Sequence, residues 1–124
     1  MEKIINEPTS HLPLIDFNPE GYLNLEGRSI PEDACKIYNP LIKFVDQLDI
    51  IQVTFDINLE YFNTATSKKL LELLKHLDAN NKIKTVLVNW HFEEGDEDSV
   101  ETAEIYEECL RRTDFRYMEY AETA

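Results

Sequence analysis

Five consecutive residues, Asn63-Thr64-Ala65-Thr66-Ser67, carry one carboxamide and three hydroxyls, and Lys68 and Lys69 follow directly. Groups of this type at this density do one of two things. Asn63 or Thr64 can accept a hydrogen bond from the free N–H groups at a helix start, a contribution of about 1 kcal/mol. Alternatively, an exposed hydroxyl accepts a phosphoryl group, which adds about −1.5 to −2 charges to the surface. Both need a helix to begin here, because its unpaired N–H donors and positive dipole end favour oxygen ligands and phosphates. The residue types alone leave the choice open. Lys68 and Lys69 oppose the dipole preference of a first turn, which suits a role in holding a phosphate or pairing with an acidic partner.

The other reactive residues make no comparable grouping. His11, His76 and His91 are far apart and lack metal-ligand spacing. Cys35 and Cys109 have no CxxC spacing, so neither a zinc site nor a disulfide framework is expected. They read as reduced, partly buried thiols of a cytoplasmic protein. A nucleophile–base pair using Cys35 or His91 has no flanking signature. Between Glu93 and Glu108 lie nine acidic residues and no basic one. Asp96, Asp98 and Glu107 match the first, third and twelfth positions of a calcium loop. Val100, however, replaces an oxygen ligand, and Glu101 stands where the sharp turn needs glycine. These acids are expected to load a helix start and then to form a solvated face, or a docking surface for a basic partner patch. No G-x-S-x-G elbow, P-loop or G-x-G-x-x-G run is present. The expectation is a protein that is no enzyme and holds neither cofactor nor metal.

The elements that must position the hydroxyl run follow from periodicity. Leu12–Phe17 reads as a short strand that Pro13 confines to an edge or a strand start, Asn18-Pro19-Glu20-Gly21 as a turn, and Tyr22–Leu25 as the returning strand. Ser29-Ile30-Pro31-Glu32 reads as a helix start with Ser29 as cap. Ile37, Leu41, Phe44, Val45 and Leu48 keep helical spacing, with Pro40 expected to kink or divide the helix. Ile50–Leu59 is a strand that hands over to a helix from about Thr64 to Ala79, striped by Leu70, Leu71, Leu74 and Leu77. Thr85–Phe92 reads as a strand buried on both faces. Val100, Ala103, Tyr106, Cys109 and Leu110 predict a last helix, and Phe115–Met118 a last strand. The order β-β-α-β-α-β-α-β implies an α/β fold with a mixed, mostly parallel sheet and helices packed against it. With 124 residues the chain is one domain, its ordered core spanning about residues 10–119. A formal charge of −13 argues against nucleic acid and anionic membrane partners and for protein partners with basic patches. No apolar run is long enough to span a membrane, and the N-terminus lacks a secretory core.

The segment YFNTATSKKLLELL resembles the YxNTSSxKxL signature of the SiaC family of bacterial regulatory phosphoproteins. Three further pieces fit in the same order: Gly27–Asp33 with Tyr38-Asn39-Pro40-Leu41, then Val88–Glu93, then Asp96-Glu97-Asp98. The resemblance spans about residues 10 to 118 and implies a fold similar to the STAS domain of anti-sigma-factor antagonists. It implies a partner switch, phosphorylated by a cognate kinase, dephosphorylated by a PP2C-like phosphatase, and binding an effector such as a diguanylate cyclase. The family's acceptor threonine matches Thr64. Ala65 and Thr66 replace the two serines common in the family, leaving Thr66 and Ser67 as secondary acceptors. The expected docking surface is Tyr61, Phe62, Asn63, Thr64, Ala65, Thr66, Ser67 and Lys68. The alternative is a constitutive adaptor domain that docks through its acidic helix without any phospho-switch.

Overall fold

The computed structural model describes residues 1–122. Six strands form one sheet in chain order: β1 Ile4–Asn6, β2 Leu14–Asn18, β3 Tyr22–Ser29, β4 Gln52–Phe62, β5 Thr85–Glu93 and β6 Asp114–Tyr120. The helices are α1 Ala34–Asp46, α2 Thr64–Ala79 and α3 Glu97–Cys109. β1 to β3 meander antiparallel, whereas β3 to β6 run parallel. Each parallel crossover carries one helix and steps to the adjacent strand in the same direction. Right-handed connections therefore lay all three helices on one face.

Burial follows from that layering. Phe17, Leu25, Phe55, Ile57, Val88 and Trp90 point into the helix layer and are closed to solvent, meeting Tyr38, Leu41, Leu70 and Leu74. Among the described residues nothing covers the opposite face. Strand register there lines up Asp16, Asn24, Asp56, Asn89 and Arg116 in a polar row across five strands. The β2–β3 hairpin turns at Gly21, whose φ of 106° is open to glycine and strained for other residues. A Cβ there would also run into the Gln52 carbonyl.

Four expectations need correction. The short strand β1, at the far edge, was not expected, because Ile4–Asn6 is too brief to show a period. Thr85–Phe92 is buried on one face alone, since Leu87, Asn89 and His91 stand on the uncovered side. Ser29 ends β3 and does not cap α1. Asp33 does that, its carboxylate accepting from the Lys36 N–H at 3.3 Å. α1 then continues through Pro40. Lys36 and Pro40 are both exposed, so the carbonyl that loses its donor can turn to water. The thiols of Cys35 and Cys109 are exposed, not partly buried.

Candidate functional site

β4 and α2 meet at the carboxyl end of the parallel strands, and Asn63 makes the joint. Its backbone is extended, with φ −85° and ψ 174°. Its side-chain oxygen accepts the Thr66 N–H at 2.9 Å, and its carbonyl accepts the Ser67 N–H at 3.0 Å. Its own N–H donates to the Ser29 carbonyl at 3.1 Å, and its side-chain N–H to the Pro31 carbonyl at 3.3 Å. Asn63 thus caps the helix and ties its start to the strand end next door.

The three hydroxyls of the first turn have different fates. Thr66 is fully buried. Its Oγ1 donates to the Ser29 carbonyl at 3.0 Å, which leaves it to accept from the Ser29 hydroxyl at 2.9 Å. The Ser29 Oγ in turn accepts from the Tyr38 hydroxyl at 2.8 Å. This is a closed relay through β3, α1 and α2, and burial pushes the Tyr38 phenol up to about 12. Ser67 is half-buried under α3. The Tyr106 hydroxyl donates to the Ser67 carbonyl at 2.6 Å and so accepts from the Ser67 hydroxyl at 2.8 Å. Burial pushes the Tyr106 phenol to about 12 as well. Thr64 differs from both: it is exposed, and among the described residues nothing hydrogen-bonds its hydroxyl. The Thr66 and Ser67 hydroxyls are therefore each engaged in hydrogen bonds, and Thr66 is closed to solvent.

Around this turn Tyr61, Thr64, Ala65 and Lys68 face solvent, Phe62, Asn63 and Ser67 are half-buried, and Thr66 lies beneath them. Tyr61 is 55% exposed, and the Arg28 guanidinium carbon sits 5.8 Å from its ring centroid. Lys69 is directed away from Thr64, its ammonium donating to Asn39 at 2.8 Å and Glu72 at 3.0 Å. Phe62 packs edge-on to Trp90, whose indole N–H donates to Ser99 at 2.9 Å in the first turn of α3. Asp96 caps that helix by accepting the Ser99 N–H at 3.1 Å.

Ser29, Pro31, Tyr38 and Tyr106 were not read as parts of the site. The first three lie in the segments 27–33 and 38–41, whose spacing along the chain gives no sign that they converge on α2. Cys35 and His91 cannot act together: His91 binds Asp56 at 2.9 Å on the uncovered face, while α1 lies on the other. No group of three metal-ligating side chains gathers among the described residues. No helix among them is long and apolar enough to cross a membrane.

A family model described as SiaC family regulatory phosphoprotein matches residues 6–120. No curated protein matches the sequence. Among solved structures, the chain is similar to one from the crystal structure of the diguanylate cyclase SiaD in complex with its activator SiaC from Pseudomonas aeruginosa. That match has a TM-score of 0.81 at 22% identity and covers 94% of this chain and 99% of the other. It is similar also to SiaC of Pseudomonas aeruginosa, with a TM-score of 0.77, 22% identity, and 98% and 100% of the two chains covered. For apo-SiaC of the same organism the values are 0.76, 24%, 95% and 99%.

Proposed function

The chain belongs to the SiaC family of regulatory phosphoproteins, and from that premise we propose that it is a bacterial, cytoplasmic partner switch whose phosphate acceptor is Thr64. One observation carries this reading: of three hydroxyls in the first turn of α2, Thr64 alone is both exposed and free of hydrogen bonds among the described residues. The unmodified junction, with Tyr61, Ala65 and Lys68 at its surface, docks on an effector such as a diguanylate cyclase. A cognate kinase and a PP2C-like phosphatase add and remove the phosphate. The phosphate acts by bulk, charge and desolvation at the docking surface. A loss of about 3 kcal/mol of binding weakens the complex more than a hundredfold, which is enough for a switch.

The test is intact-mass measurement and peptide mapping after incubation with the cognate kinase. One phosphate on Thr64, and none on the Thr64→Ala variant, is the expected result. Full modification of Thr64→Ala, with the phosphate mapped to another residue, would overturn the assignment.

A further inference from the structure

We infer that the outer edge of β6 is a docking site for an extended, basic segment of a partner protein, which joins the sheet as an added strand. β6 is the last strand in the sheet order, so Phe115, Tyr117 and Glu119, which alternate with the residues bonded to β5, turn their N–H and C=O toward a side where no strand lies among the described residues. Exposed edges are usually blunted by shortness, lysine, proline or a bulge. The other edge has three of these devices or close to it: β1 is three residues long, Lys3 precedes it and Pro8 follows soon after. β6 has none. It is seven residues of DFRYMEY, regular in its pairing to β5, with Tyr117, Met118 and Tyr120 exposed.

Charge decides what can pair with it. On the helix-facing side Glu119 belongs to the strand itself. Glu107 of α3 holds the Tyr117 hydroxyl at 2.7 Å, and Glu104 lies close enough to raise the same phenol. A cavity of about 500 Å³ opens at the end of β5 and β6, floored by Phe92 and Val100 and rimmed by Asp96, Glu101, Glu104 and Glu119. A lysine or arginine from an added strand would lay its aliphatic stem on that floor and its charge among the carboxylates. A second copy of this chain would bring the same acids against them, each copy with a net charge of −13. The edge therefore selects a basic strand and disfavours itself. Side chains alternating along the added segment would supply specificity while the main chain supplies adhesion.

The test is a titration of the isotopically labelled protein with an octapeptide of alternating lysine and valine, with the glutamate–valine peptide as control, followed by amide NMR. Shifts concentrated on residues 114–120 with slowed exchange of their outward amides are expected. Glu104→Gln with Glu107→Gln should weaken the peptide by roughly tenfold, since each removes one charge pairing. Glu119→Pro, which removes an outward-facing N–H and none of those bonded to β5, should abolish the shifts while leaving the circular dichroism spectrum intact; should it unfold, the glutamine pair still decides. Absence of shifts in β6, equal binding of the glutamate–valine peptide, or a dimer in light scattering that Met118→Lys dissolves would each overturn the proposal. This result is independent of whether Thr64 carries the phosphate.

Discussion

The Thr66 hydroxyl both donates to the Ser29 carbonyl and accepts from the Ser29 side chain. Replacing it with valine keeps the volume and removes both bonds, leaving the buried Ser29 hydroxyl proton without an acceptor, while the Ser29 carbonyl keeps the Asn63 N–H. Thr66→Val should therefore cost about 1–3 kcal/mol in urea unfolding, and Tyr38→Phe, at the far end of the relay, about 1 kcal/mol. Tyr38 also sets a pH limit. Its folded pKa is raised to about 12, so its contribution is complete below the unfolded value of about 10 and is lost as pH rises toward 12. Alkaline unfolding of Tyr38→Phe should accordingly be shallower than that of the parent over this window. The sequence shows that hydroxyls crowd the start of α2, because capping chemistry is local. It does not show which is free, because that depends on Ser29 and Tyr38, brought in from 37 and 28 positions away by the crossing of β3 and α1 (66 − 29 and 66 − 38).

At the scale of elements, a single carboxylate joins α2 to the turn before β6. Asp78, in the last turn of α2, accepts the N–H groups of Arg111 and Arg112 at 3.0 and 3.1 Å, and the N–H and hydroxyl of Thr113 at 3.1 and 2.7 Å. Burial pushes its pKa up, but the Thr113 hydroxyl and the three backbone donors outweigh it and hold the acid below its usual value. A depressed folded pKa gives stability that is present above the unfolded value of about 3.9 and lost as pH falls through the folded one. Asp78→Ala should cost about 3 kcal/mol at neutral pH, because several buried donors lose a charged acceptor together. The penalty should shrink in acid unfolding below about pH 4. Helix and strand identities were legible from apolar spacing, as in the α2 stripe, which the structure places at Thr64–Ala79. The clasp was not, since an aspartate on a helix reads as solvated until the turn that closes over it is known. The start of α1 was misplaced because Ser29-Ile30-Pro31-Glu32 has the composition of a cap, whereas tertiary hydrogen bonding draws Ser29 into the strand.

For the whole molecule, a charge of −13 spread over one domain means self-repulsion that salt screens. The melting temperature should rise by a few degrees, roughly, between about 10 mM and 300 mM sodium chloride; a flat or falling trend would show that local ion pairs outweigh the net charge. The layering was the global property least visible in the sequence. Val86, Val88 and Trp90 alternate with Leu87, Asn89 and His91, and only the sequential strand order decides that the second set has no helices above it. Finally, the joint at Asn63 is pinned on four sides, to Thr66, Ser67, Ser29 and Pro31. A group attached to Thr64 is thus written on a fixed page. The message would travel as altered surface potential with the polypeptide path unchanged, and erasing it would need no refolding, only hydrolysis of one ester.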